Sequence, residues 1–150
     1  MNLSRLLLLV SVLLLASCAT RSPWVEIGGK HYQVEIADNN DSRARGLMFR
    51  DQLPLDHGML FIHEVEAPQA YWMKNTRIPL DILYFDNHRK LVSQQRDVPP
   101  CSAGNACPSY PSIRAARYVL ELNAGQAQQL NLENGVELRI APGVNAAAIP

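Results

Sequence analysis

Residues 72–81 read Trp72-Met73-Lys74-Asn75-Thr76-Arg77-Ile78-Pro79-Leu80-Asp81, which crowds an aromatic ring, a cation, an amide, a hydroxyl and a carboxylate into ten positions. A cation, an amide and an aromatic ring can together orient an anionic or sugar-like ligand, so this stretch is the first place to expect a site. Asp81 lies inside the apolar run Leu80-Asp81-Ile82-Leu83-Tyr84-Phe85. A carboxylate in such a run must be paired or held neutral, because an isolated buried charge is costly. Lys74 and Arg45 are the candidate partners. On one straight strand Lys74 and Asp81 would stand roughly 23 Å apart at about 3.3 Å per residue. Pairing therefore requires a chain reversal between them, which Asn75 and Pro79 suit. The alternative is structural, with Asp81 bonding the backbone of a neighbouring loop and Lys74 a surface cation.

Other residue types raise two further chemistries. The histidines are His31, His57, His63 and His88, and none has a metal-ligand spacing. His57 precedes Gly58-Met59 and could serve, like Asp81, as a general base, with Lys74 or Arg45 stabilising negative charge. No G-x-S-x-G elbow supports a hydrolase. Met48, Met59 and Met73, with His57 or His63, offer the soft thioether and imidazole ligands that Cu(I) prefers, although methionine is also a common filler of core gaps. No cofactor motif is present.

The elements that must position these residues are mostly short strands. Trp24-Val25-Glu26-Ile27, a Gly28-Gly29 turn, and residues 31–37 read as an amphipathic hairpin. Asp41 or Ser42 could cap a short helix through Arg43, Arg45, Leu47 and Met48, weakened by Gly46. Met59-Leu60-Phe61-Ile62, Ala70-Tyr71-Trp72-Met73, residues 80–85, Lys90-Leu91-Val92, Tyr118-Val119-Leu120-Glu121-Leu122 and residues 135–140 follow as strands, with the run 80–85 buried between layers. Residues 97–112 read as an ordered loop, and Asn123 as a cap for a second helix over residues 124–130. This pattern predicts a mainly β, single-domain β-sandwich or partly closed barrel with one or two short helices. The domain spans residues 24–142, and a disordered tail is expected over residues 143–150.

The chain opens with features of export. Arg5 is the only charge before an apolar run at residues 6–15, and Ala16 and Ser17 precede Cys18. This is the pattern of a signal peptide over residues 1–17, too short for a permanent span. Leu15-Ala16-Ser17-Cys18 resembles a bacterial lipobox, which predicts cleavage before Cys18, a lipid on that cysteine and a tether over residues 18–23. Ala19 in the next position implies, by the same resemblance, the outer membrane facing the periplasm. Once Cys18 is lipidated, Cys101 and Cys107 remain as a pair in an oxidising compartment and are expected to form a disulfide across the Gly104-Asn105 turn. The 14 basic residues balance 14 acidic ones, and loss of Arg5 with the leader would leave 13. No basic stripe calls for nucleic acid, so membrane association rests on the lipid alone.

Five motifs taken together resemble the DUF192 family of domains of unknown function: Arg45-Gly46-Leu47-Met48, Gly58-Met59-Leu60-Phe61, Trp72-Met73-Lys74-Asn75-Thr76, Ile78-Pro79-Leu80-Asp81-Ile82 and Tyr118-Val119-Leu120-Glu121. Tyr71 stands where the family more often has Phe, and Asn87-His88 lacks the glycine usual in that hairpin. The resemblance implies a jelly-roll-like β domain with a short helix near Arg45, often exported, and carries no established activity. It marks Arg45, Trp72, Lys74, Asn75, Thr76 and Asp81 as a binding or scaffold cluster. The expected function is a noncatalytic, lipid-anchored periplasmic module that binds a small ligand or an envelope protein.

Overall fold

The computed structural model describes residues 22–144. Cys18, the leader, most of the tether and residues 145–150 lie outside the described residues. The chain is mainly β, and its principal sheet has seven strands curled into a partly closed barrel.

Strand β1 (Trp24–Ile27) and strand β2 (Lys30–Ala37) form the expected hairpin. Gly28 and Gly29 both have positive φ, 57° and 78°, which lets the tight turn follow the twist of its strands. Helix α1 (Asn40–Arg45) comes next, and its cap is Asn39 rather than Asp41 or Ser42. Asn39 accepts from the Ser42 backbone while the Ser42 hydroxyl accepts from Asn39, a reciprocal box that makes Ser42 the third helical residue. Gly46 ends the helix at φ 46°.

Strand β3 (His57–Ala67) runs parallel to β2, and every other pairing in the main sheet is antiparallel. The other elements are β4 (Ala70–Trp72), β5 (Leu80–Phe85), β6 (Leu91–Val98), β7 (Ser109–Pro111), β8 (Ala116–Asn123), α2 (Gln126–Gln129) and β9 (Arg139–Ile140). Sheet order is β6-β5-β8-β3-β2-β1-β9, and β4 pairs with β7 in a separate ribbon. The last segment links both edges of the sheet. Its residues 135–138 hydrogen-bond to residues 89–91 beside β6, and Arg139–Ile140 pair with β1.

Strand alternation gives the sheet two buried faces. Leu60, Ile62, Leu83, Phe85, Leu120 and Leu122 face the first core, which α2 and Leu138 cover. Met59, Phe61, Ile82, Tyr84 and Val119 face the second core with Leu47, Leu53, Met73 and Ile78. The β4/β7 ribbon and the segment after α1 cover that second face through Tyr71, Tyr110, Leu47 and Leu53. Val144 packs against the first core.

Candidate functional site

The second face holds a buried acid that an apolar core would not call for. Glu121 stands on β8 between Met59 of β3 and Ile82 of β5, and it is only 4% exposed. Among the described residues nothing hydrogen-bonds or ion-pairs with its carboxyl group. Among the described residues no wholly enclosed side-chain polar atom is left unsatisfied, and Glu121 lines a small cavity. Burial pushes this carboxyl up to about 8, so it is protonated at neutral pH.

The cavity measures about 30 Å³, room for a water molecule or a hydroxyl-sized group. Arg45, Met48, Tyr71, Trp72, Lys74 and Thr76 line it with Glu121. Helix α1 supplies Arg45 from its last turn, β4 supplies Tyr71 and Trp72, and the segment leaving β4 supplies Lys74 and Thr76. Lys74 Nζ donates to Asn105 Oδ1 at 2.7 Å and lies 4.8 Å from the centre of the Trp72 ring, which is 43% exposed. Neither Lys74 nor Arg45 has a carboxylate partner among the described residues. Arg43 lines the cavity as well and donates to Ile62 O and Asn40 Oδ1 rather than to a carboxylate. The lining thus carries three cations without a carboxylate partner among the described residues, beside a neutral acid that can donate a proton in a hydrogen bond.

Neighbouring elements hold this wall in place. Cys101 is joined to Cys107, and its backbone bridges Lys74 and Thr76, with Cys101 N donating to Thr76 O at 3.1 Å. Asn105, the partner of Lys74, lies between the two cysteines. Tyr71 Oη is 3.0 Å from His63 Nε2. Burial and then Arg43 push His63 down to about 4, so the imidazole is neutral, and burial holds the Tyr71 phenol far above its usual range.

Asp81 is not part of this cluster. It faces the first core, on the opposite side of the sheet from Glu121, because Ile82 and not Asp81 is the residue beside Glu121. Its side chain is 0% exposed and accepts two backbone N–H groups, Asp97 N on Oδ1 at 2.9 Å and Ala127 N on Oδ2 at 2.7 Å. Asp97 sits at φ 50°, where the β5/β6 register slips, and Ala127 is in the first turn of α2. Asp81 locks a bulge and a helix start, and Lys74 is not its partner. Asn75 lines a neighbouring groove rather than the cavity.

The histidine and copper readings find no matching assembly. His57 Nδ1 lies 2.8 Å from Asp56 and the ring lines a groove beside Gln33 and Glu35, away from Glu121. Met59 and Met73 are packed in the second core, while Met48 Sδ accepts from Asn75 Nδ2 at 3.9 Å. Glu121 was present in the sequence as a charge inside an apolar strand, the same signal that drew attention to Asp81.

A curled β domain with a small, cation-rimmed acid pocket is the class that fold and site define. The chain belongs to the DUF192 family, described as an uncharacterized ACR, which it matches over residues 24–140. No curated protein matches it. It is similar to a protein of unknown function from Novosphingobium aromaticivorans DSM 12444, with 28% identity and a TM-score of 0.70 over 78% of this chain and 82% of that one. It is also similar to a protein from Sinorhizobium meliloti 1021 described as a "putative transcription regulator", with 32% identity and a TM-score of 0.70 over 79% of this chain and 91% of that one.

Proposed function

We propose that this is a noncatalytic binding module of the cell envelope, held by a lipid on Cys18 at the outer membrane facing the periplasm, which takes a small anionic ligand at the Glu121 cavity. One observation carries the reading: a buried carboxyl group without a protein partner opens into a cavity whose rim bears Arg45 and Lys74. An anion at the mouth that inserts one oxygen into the cavity meets Arg45 and Lys74 and accepts a hydrogen bond from protonated Glu121, interactions strengthened by partial exclusion of water. Trp72 supplies an apolar contact at the mouth. Above pH 8 Glu121 ionises, becomes a repulsive charge, and weakens binding.

The test is a titration of the full chain, purified in mild detergent, with inorganic phosphate, citrate and glucuronate, followed by thermal shift and calorimetry at pH 7 and pH 9. Ligands that bind only the folded state raise its melting temperature. Binding at pH 7 that weakens at pH 9, is lost in Lys74→Ala, and becomes independent of pH in Glu121→Gln supports the reading. Glutamine keeps a donor but cannot ionise. No binding by any of these probes in the folded native chain sinks it. Metabolic labelling with a radioactive fatty acid, lost in Cys18→Ser, tests the anchor separately.

A further inference from the structure

The cavity has a neighbour. A groove of about 280 Å³ shares Thr76 with it as a common wall and is completed by Phe49, Asn75, Arg77, Cys101 and Ser102. Phe49 is 56% exposed and sits at φ 64°, a backbone conformation that bulky side chains rarely adopt. The Phe49 N–H donates to Asn75 O at 2.8 Å, and Asn75 is itself at φ 56°. Two left-handed residues bound to one another hold an aromatic ring out toward solvent, where burial gains nothing. Strain of this kind persists where the surroundings enforce it and marks binding sites more often than cores. Arg77 lies 5.9 Å from the Phe49 ring and is paired with Asp51 at 2.8 Å.

We infer that the cavity and this groove form one site for an acidic saccharide, with a sugar ring against Phe49 and its carboxylate or phosphate drawn toward Arg45 and Lys74. The inference rests on the anion-binding reading and adds the ligand's body to it. A bare inorganic anion has no use for two exposed rings, Phe49 and Trp72. A neutral sugar has no use for the uncompensated cations. A ring with an apolar C–H face, a polar edge and a negative group uses both, and Asn75 and Ser102 supply amide and hydroxyl partners for its edge.

Calorimetric titration of the full chain in detergent with trigalacturonate, maltotriose, citrate and adenosine monophosphate tests this. The deciding variant is Phe49→Gly, because glycine suits the left-handed backbone better than phenylalanine and so removes the ring without threatening the fold. Expected are binding of trigalacturonate, at least tenfold weaker binding of maltotriose and of citrate, and a tenfold loss for trigalacturonate in Phe49→Gly at an unchanged or raised melting temperature. Equal binding of citrate, preference for the nucleotide, or full affinity in Phe49→Gly overturns the saccharide assignment. In those cases citrate binding that still depends on Lys74 leaves the anion pocket standing. Failure of trigalacturonate together with phosphate, citrate and glucuronate removes both readings.

Discussion

Glu121→Gln should make the protein more stable at neutral and alkaline pH, and the size of the effect follows from the burial of Glu121. The carboxyl titrates near 4.5 in the unfolded chain and at about 8 in the folded one. Between those values the native state holds a proton that the unfolded state releases, so stability falls as pH rises. Each pH unit costs about 1.4 kcal/mol at most, which gives a ceiling of about 3 kcal/mol at pH 7 and about 5 kcal/mol above pH 8. Below pH 4.5 both states are protonated and this penalty vanishes. Glutamine has nearly the same shape and no titration, so it keeps the low-pH stability throughout. His63 acts in the opposite direction. Its folded value, lowered to about 4 from 6.5, makes stability fall as pH drops through that interval, but it is common to both proteins and cancels in their difference. The assay is urea unfolding of a fragment spanning residues 22–144 and of its Glu121→Gln variant, at half-unit steps from pH 4.5 to 9. Subtracting the two curves should give a line that steepens above pH 4.5 and levels off near 8. A difference that does not change with pH would mean that Glu121 is ionised and partnered, and the argument for an acid donor in the cavity would collapse with it.

Other residues make sharper structural claims. Asp81→Asn cannot accept from both Asp97 N and Ala127 N without turning an amide N–H toward one of them, and should cost about 3 kcal/mol in unfolding experiments. Because Asp81 faces the first core, variants that remain folded should keep native ligand affinity. Gly58→Ala places a methyl carbon 2.6 Å from the Glu121 carbonyl oxygen and 2.7 Å from Leu122 Cδ2, so β3 and β8 must separate. A loss of about 3 kcal/mol or more, read by urea midpoint, is expected from such overpacking, and a neutral result would show that the strands can slip. Replacing Cys101 and Cys107 together by Ser opens a short loop and should lower stability by about 2 kcal/mol. The same loss should appear on adding a thiol reductant to the native chain, with no change when reductant is added to the double variant.

Local pattern carried much of the fold. Gly28-Gly29 announced a tight hairpin, and the run Leu80–Phe85, apolar on both faces apart from Asp81, read as a strand covered on both sides; all six of its residues are buried. Strand β6 was only partly legible, since Leu91-Val92-Ser93-Gln94-Gln95-Arg96-Asp97-Val98 is largely polar and carries a bulge that interrupts its alternation. Strand β7, three residues ending at Pro111, was hidden in a proline-rich stretch read as loop. The parallel pairing of β2 with β3 is a nonlocal choice that no single segment encodes.

The site shows why a one-dimensional reading stops where it does. Arg45, Trp72, Lys74 and Thr76 were recognisable as a cluster and do line one cavity. Asp81 and Glu121 gave the same sequence signal, an acid in an apolar strand, and the structure gives them opposite roles. The difference is a single residue of register: β5 and β8 pair Asp81 with Leu122 and Ile82 with Glu121. One acid therefore meets the backbone donors of α2 and the β6 bulge, and the other meets a cavity. Had the pairing slipped by one position, Asp81 would stand opposite Glu121 and the two acids would share one face. Burying Glu121 without a partner lowers stability over the range where the folded protein must persist, and an apolar or amide side chain would fit the same strand at less cost. Its presence is therefore better explained by what enters the cavity than by what holds the barrel together.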